Sequence, residues 1–261
     1  MRRLAAATEQ LYLAALYLFI IAPLIVVAAT SINTATSFPA PFEGLTFKWY
    51  RAIFAHSEFI HAARTSALVG TISAALGTVA AFLAAYALRR RGKRENVLLN
   101  AALVSPILVP QVVISLAMLQ FAALFQLSGG LPSLIGVHTV YALPFALRLI
   151  MVGLVRFDFS LEDASHGLGA GCLTTWRHVT LPLLRPNLVA AFTFCFILSF
   201  VNLPISLFLT TAQTTTLPLV MFAYIEARLD PMLAAVATSI VAAACVATLI
   251  LERYLRIRLV E

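Results

Sequence analysis

Glu162-Asp163-Ala164-Ser165-His166-Gly167-Leu168-Gly169-Ala170, followed nine residues later by Thr180-Leu181-Pro182-Leu183-Leu184-Arg185-Pro186, is the longest polar interruption in the second half of the chain. The segments on both sides are apolar enough to cross a bilayer, so the stretch is a loop outside the lipid. Of the 261 residues, 61% are apolar and 11% charged, and the mean hydropathy is +0.95. Soluble domains run at roughly 45–50% apolar and about 25% charged. The apolar runs are about 20 residues long, the length a helix needs to cross about 30 Å of hydrocarbon. None alternates with the two-residue period of a barrel strand. The chain reads as an all-α integral membrane protein.

Six crossings are expected, at about residues 11–30, 65–88, 97–127, 133–155, 187–209 and 232–251, with the quoted loop at 156–186. The uncharged segment from 96 to 147 is divided by Ser128-Gly129-Gly130-Leu131-Pro132, whose glycines and proline supply a turn that a helix resists. Six crossings put both termini on one side. On that side fall Arg2, Arg3, Arg89, Arg90, Arg91, Lys93, Arg94, Arg156, Arg177, Arg185, Arg253, Arg256 and Arg258; opposite are Lys48, Arg51, Arg64 and Arg228. Loops rich in Lys and Arg stay cytoplasmic, so 13 against 4 places both termini and loop 156–186 in the cytoplasm. The net charge of +7 follows the topology and forms no aromatic-basic face, so anionic lipid headgroups suffice as its partners and no nucleic acid is implied. Arg2-Arg3 precede an apolar run longer than the roughly 7–15 residues of a signal peptide core, which reads as an uncleaved first helix. Cys195 and Cys245 fall in spans and Cys172 in the loop, so no disulfide framework is indicated.

Two external segments stand out. Residues 31–64 carry Phe38-Pro39-Ala40-Pro41-Phe42 and Trp49-Tyr50-Arg51, a mixture suited to the interface and to docking. Thr210-Thr211-Ala212-Gln213-Thr214-Thr215-Thr216-Leu217-Pro218 is expected to be irregular and to dip back into the protein rather than form a seventh helix. Within loop 156–186, Ser160 reads as an N-cap, with Glu162 and Asp163 in the first turn where carboxylates favour the positive end of a helix. Gly167 and Gly169 then loosen that helix, and a second short helix from 172 to 178 precedes Leu181-Pro182. Two stubby helices exposing Trp176 make a compact knob suited to a rigid contact with a soluble partner.

The stretch resembles the signature loop of type I ABC importer permeases: Glu-Ala-Ala, three residues, Gly, nine residues, an aliphatic, one residue, Leu-Pro. Here it reads Asp163-Ala164-Ser165, three residues, Gly169, nine residues, Val179-Thr180-Leu181-Pro182, with Asp for Glu and Ser for Ala. The aromatic usual in the second helix is Trp176. The resemblance implies the type I permease fold of six transmembrane helices, with a coupling loop between the fourth and fifth that docks on a cytoplasmic ATP-binding subunit. It assigns coupling to Glu162, Asp163, Ala164, Gly169, Ala170, Trp176, Leu181 and Pro182, with the carboxylates meeting basic residues on the ATPase. It further implies a second permease, identical or homologous, an external solute-binding protein, a bacterial inner membrane, and ATP with Mg on the ATPase subunit but no cofactor in this chain.

Asn202-Leu203-Pro204-Ile205-Ser206-Leu207-Phe208-Leu209-Thr210 and Thr214-Thr215-Thr216-Leu217-Pro218 look like the spermidine/putrescine branch. That branch often carries acidic residues just before the Leu-Pro, where this chain has Val201-Asn202. None of the eleven acidic residues falls in the middle of a predicted span, whereas Arg148 does. An ionisable group there marks a functional site by default and favours an anionic or zwitterionic solute, such as a phosphonate or amino acid, over a dication. Alternatively Arg148 snorkels to the headgroups or pairs with a helix carbonyl.

Gln111, Ser115, Gln120, His138, Thr139, Ser199 and Asn202 are the other polar residues in spans; the pathway candidates are Arg148, Ser199, Asn202, Gln111 and His138. Either they line a route for solute or they hydrogen-bond between helices, the commoner use of such side chains. Pro106, Pro110, Pro144 and Pro204 are expected to bend their helices. No phosphate loop, His-Glu-x-x-His pair or Gly-x-Ser-x-Gly elbow is present, so neither a catalytic site nor a metal site is expected. The rival class is an ATP-independent secondary transporter or channel, which calls for intramembrane acids or an inverted repeat.

Overall fold

The structure is a computed structural model that describes residues 2–36, 41–90, 93–126, 129–228 and 230–255. Arg91, Ser128, Arg256, Arg258 and Phe38-Pro39-Ala40 of the first external segment lie outside the described residues. The elements are α1 (Arg2–Ser31), α2 (Lys48–Ala55), α3 (Ser57–Arg90), α4 (Lys93–Val104), α5 (Gln111–Leu124), α6 (Leu131–Arg156), α7 (Ser160–Gly167), α8 (Cys172–Thr175), α9 (Leu181–Phe200), α10 (Leu203–Leu209), α11 (Leu217–Ala227) and α12 (Met232–Leu255). Among the described residues five helical stretches are long and apolar enough to cross a membrane, or six if the bent pair Leu98–Leu108 with Gln111–Leu124 is taken as one span.

Residues within 61–220 form one compact unit and those within 1–60 and 221–256 another. In the first, α3 packs through small residues. Ala74, Ala81 and Ala85 are fully buried, Gly77 faces Thr139 and Ala142 of α6, and Gly70 faces Phe196 of α9. Small side chains let helix backbones approach, which is how helices associate when lipid is as apolar as they are. Ser73 Oγ donates to the Ile135 carbonyl at 3.1 Å, and Arg90 meets Glu162 just beyond the end of α6. The two helices therefore run parallel, so α4 and α5 must carry the chain from one end of the bundle to the other. In the second unit α1 and α2 pack on α12. There Asn33 organises its loop: its side chain accepts from the Ala35 and Glu43 amides and donates to the Pro41 carbonyl.

Several expected boundaries shift. The second span begins eight residues early, at Ser57. The third is not one rod: a turn of 3-10 helix at Ser105–Leu108 and Pro110 bend it by 105°. Pro106 has no N–H for the carbonyl four residues back, and the Ser105 hydroxyl takes that place on Ala102 at 2.8 Å. The hairpin after α5 is present, with Gly129 and Gly130 at φ of 82° and 92°. The fifth span starts well before residue 187, because the helix is continuous from Cys172 to Phe200, with a π-helical stretch at Trp176–Thr180 ahead of Pro182. It then breaks at Val201, and Asn202 caps α10. The segment from Leu217 is helical rather than irregular, since Pro218 sits in the first turn, where a missing N–H costs nothing. At 11 residues α11 is too short to span.

Candidate functional site

The signature loop begins at α7. Ser160 is not its cap; the Asp158 side chain accepts from the Ser160 amide at 2.9 Å. The Ser160 backbone N–H, then its side chain, hold the Asp158 carboxyl below the usual carboxylate range. Gly169 does not loosen the helix but stops it. At φ 85° it closes a Schellman turn, with Gly169 N–H on the His166 carbonyl and Ala170 N–H on that of Ser165. Ser165, where the signature has Ala, has a use for its hydroxyl: it hydrogen-bonds Thr175 of α8 at 3.0 Å.

Glu162 is fully buried, contrary to the expectation that it meets a partner's basic residues. One carboxylate oxygen accepts from Tyr86 Oη at 2.7 Å and from Arg90 Nη2, the other from Thr180 Oγ1 at 2.5 Å. Burial pushes its pKa up, but the hydrogen bonds from Thr180, Tyr86 and Arg90 outweigh it and hold the group below its ordinary value. The Arg90 guanidinium also lies over Phe159 and Tyr86 at 5.3 and 5.6 Å. Trp176 is not an exposed knob either. It is half-buried and meets Phe82 and Tyr86 edge-on at 5.4 and 5.0 Å.

What faces outward is Asp163, Ala164, Gly169, Leu181 and Pro182, with Ala170 half-buried. With them go Leu168 and Leu173, 90% and 80% exposed. Sequence reasoning passed over Leu173. Its signal was a large apolar residue in a loop already assigned to water, where such exposure marks a contact surface. At the stems, Asn187 of α9 donates to the Leu149 carbonyl of α6, and a Cβ on Gly153 would lie 2.4 Å from the Asn187 Oδ1.

The pathway candidates do not come together as one site. Ser199 and His138 Nδ1 hydrogen-bond each other at 2.7 Å, both buried. Asn202 is spent on capping the Ile205 amide at 2.9 Å, and Gln111 donates to the Tyr141 hydroxyl. Arg148 is exposed on α6, eight residues before its end. Among the described residues no group of three or more metal-ligating side chains is present.

Residues 76–260 match the family described as binding-protein-dependent transport system inner membrane component. The spermidine/putrescine transport system permease protein PotC of Escherichia coli K12 is 28% identical over 87% of this chain and 86% of its own. The putrescine transport system permease protein PotI of the same strain is 27% identical over 87% of this chain and 83% of its own. Among solved structures, a bacterial ABC transporter involved in import of the acidic polysaccharide alginate superposes with a TM-score of 0.73, covering 97% of this chain and 96% of that one at 14% identity. The fold, the placement of the signature loop and this match over most of the chain agree: the protein belongs to the binding-protein-dependent transport system inner membrane components, the permeases of ABC importers.

Proposed function

We propose that all 261 residues act as one transmembrane domain and that loop 156–186 lies in the cytoplasm with both termini. There it docks on an ATP-binding subunit through Asp163, Ala164, Leu168 and Leu173, while Glu162 and Trp176 hold the loop's shape from inside. ATP and Mg belong to that subunit, and this chain catalyses nothing itself. A second permease completes the pathway, an external binding protein delivers the solute, and anionic lipid surrounds the basic rim. The observation carrying this reading is the pair of leucines standing in water beside exposed Asp163, on a loop whose Glu162 and Trp176 are turned inward. The test is the double variant Asp163→Lys, Leu168→Asp in cells expressing the whole system. We expect it to reach the membrane but to lose co-purification with the ATP-binding subunit and ATP-driven uptake; intact uptake overturns the assignment.

Polyamine is the proposed solute class, supported by what PotC and PotI are named for. A second reading, an anionic or zwitterionic solute, is favoured by the exposed Arg148. Uptake of labelled putrescine, set against labelled 2-aminoethylphosphonate, decides between them.

A further inference from the structure

Between His61 and Arg90, α3 is a single helix without proline, and no charged residue lies from Thr65 to Leu88. Other long elements of the same unit are bent or carry a proline: α4 and α5 meet at a 105° bend, α6 contains Pro144, and the helix through α9 contains Pro186, has a π-helical stretch and stops at Val201. Small residues press α3 onto α6 and α9 along its length, with the Ser73 to Ile135 hydrogen bond between. Among the described residues it is therefore the longest proline-free helix of the unit.

Its two ends are fastened to loops distant in sequence. At one end Tyr86 and Arg90 bind the Glu162 carboxylate, which Thr180 holds from the other side, so α3, α7 and the start of the α9 helix share one buried hub. Near the other end Ser66 Oγ accepts the Leu217 amide at 2.8 Å, the first residue of α11 after the threonine-rich segment. Ser66 and Arg90 are 24 residues apart, about 36 Å along a helix. Without the hub the signature loop would be held mainly by its stems. A Cβ placed on Gly167, Gly169 or Gly171 there would meet nothing within 4 Å, so no neighbouring element braces the loop at these three positions.

We propose that Glu162 is a positioning residue that locks the signature loop to α3, so that α3 works as a push-rod carrying displacement of the loop across the membrane to Leu217 and the threonine-rich segment beside it. This rests on the reading that the loop receives an ATP-driven stroke. The inference adds where the stroke goes: through α3, which does not adjoin the loop in sequence, and not only through the flanking helices α6 and α9. The segment reached lies on the face where an external receptor would seat.

The experiment uses the complex with its ATP-binding subunits in lipid vesicles. In a Cys245→Ser background, native Cys172 in the loop is exposed and Cys195 is buried. Arg64→Cys supplies a second exposed position half a turn before Ser66. Spin labels at 172 and 64 should report one narrow distance that is the same with and without trapped nucleotide. In Glu162→Gln the distribution should broaden, and solute uptake should be lost while ATP hydrolysis continues. Arg90→Lys, which keeps the charge opposite Glu162, should retain part of the uptake that Glu162→Gln loses, a graded response that simple misfolding would not give. A distance in the unmodified-Glu162 complex that shifts when nucleotide is trapped overturns the push-rod, whatever the variants do. Failure of the ATP-binding subunits to bind or hydrolyse would instead overturn the docking assignment.

Discussion

The joins between α6 and α9 and between α10 and α11 are both polar segments linking apolar helices, yet they are fastened in opposite ways. The first is held by a buried carboxylate whose partners on α3 lie 72 and 76 residues away. The second is held through its middle by its own hydroxyls, where Thr214 Oγ1 accepts the Thr211 amide at 3.0 Å and Thr215 Oγ1 donates to the Thr211 carbonyl at 3.2 Å, and it is tied to α3 at its end, where Ser66 accepts the Leu217 amide. A locally satisfied loop keeps its shape wherever its ends go. A loop bonded to a remote helix has its position dictated by that helix, and a load placed on it is shared.

The contrast is broken most directly by Glu162→Ala. Removing one member of a buried ion pair leaves its partners unsatisfied, and we expect a loss of about 3 kcal/mol, toward the low end of the usual range because Arg90 is 43% exposed. Thermal unfolding of the purified complex, with protease cutting of loop 156–186, reads it. Acid should act in the same direction. The folded pKa of Glu162 lies below its ordinary value of 4.5, so its contribution is present above that pH and is lost as pH falls through the folded value. Titration below pH 4.5 should thus raise the cutting rate in the native protein and not in Glu162→Ala. Gly153→Ala should cost less, on the order of 1–2 kcal/mol, because Asn187 must swing away and surrender its bond to Leu149. Its signature is the same cutting assay, with Asn187→Ala relieving the crowding. Smallest is Thr214→Val, which removes local bonds between half-exposed or exposed groups. We expect less than about 1 kcal/mol, and a larger loss would mean that the threonine turn itself depends on remote support beyond the bond from Leu217 to Ser66.

Hydropathy carried most of the fold into view, because a span is a local property of about 20 residues. The signature loop was legible for the same reason: its spacing is short-range. What stayed hidden involves residues far apart. Glu162 looked like a solvated first-turn carboxylate, since nothing near it in sequence names Arg90, Tyr86 and Thr180 as its cage. Trp176 looked exposed because Phe82 and Tyr86 belong to another helix. Pro218 pointed to irregular structure, though proline in a first turn begins a helix as readily as it ends one. Asn202 and Gln111 were singled out for polarity in a span, and the structure spends both on internal hydrogen bonds.

The elbow at Val109 and Pro110 bears on the surrounding lipid. Its two arms, about 16 and 21 Å long at a 105° bend, leave their tips roughly 23 Å apart. That falls short of the approximately 30 Å of acyl chain a straight rod would match. Helix α4 begins five residues before that apolar arm, at Lys93, so part of the remaining distance is covered by its polar first turns rather than by apolar helix. A short apolar path of this kind is accommodated by thinner lipid beside the crook of the elbow or by another helix packed there.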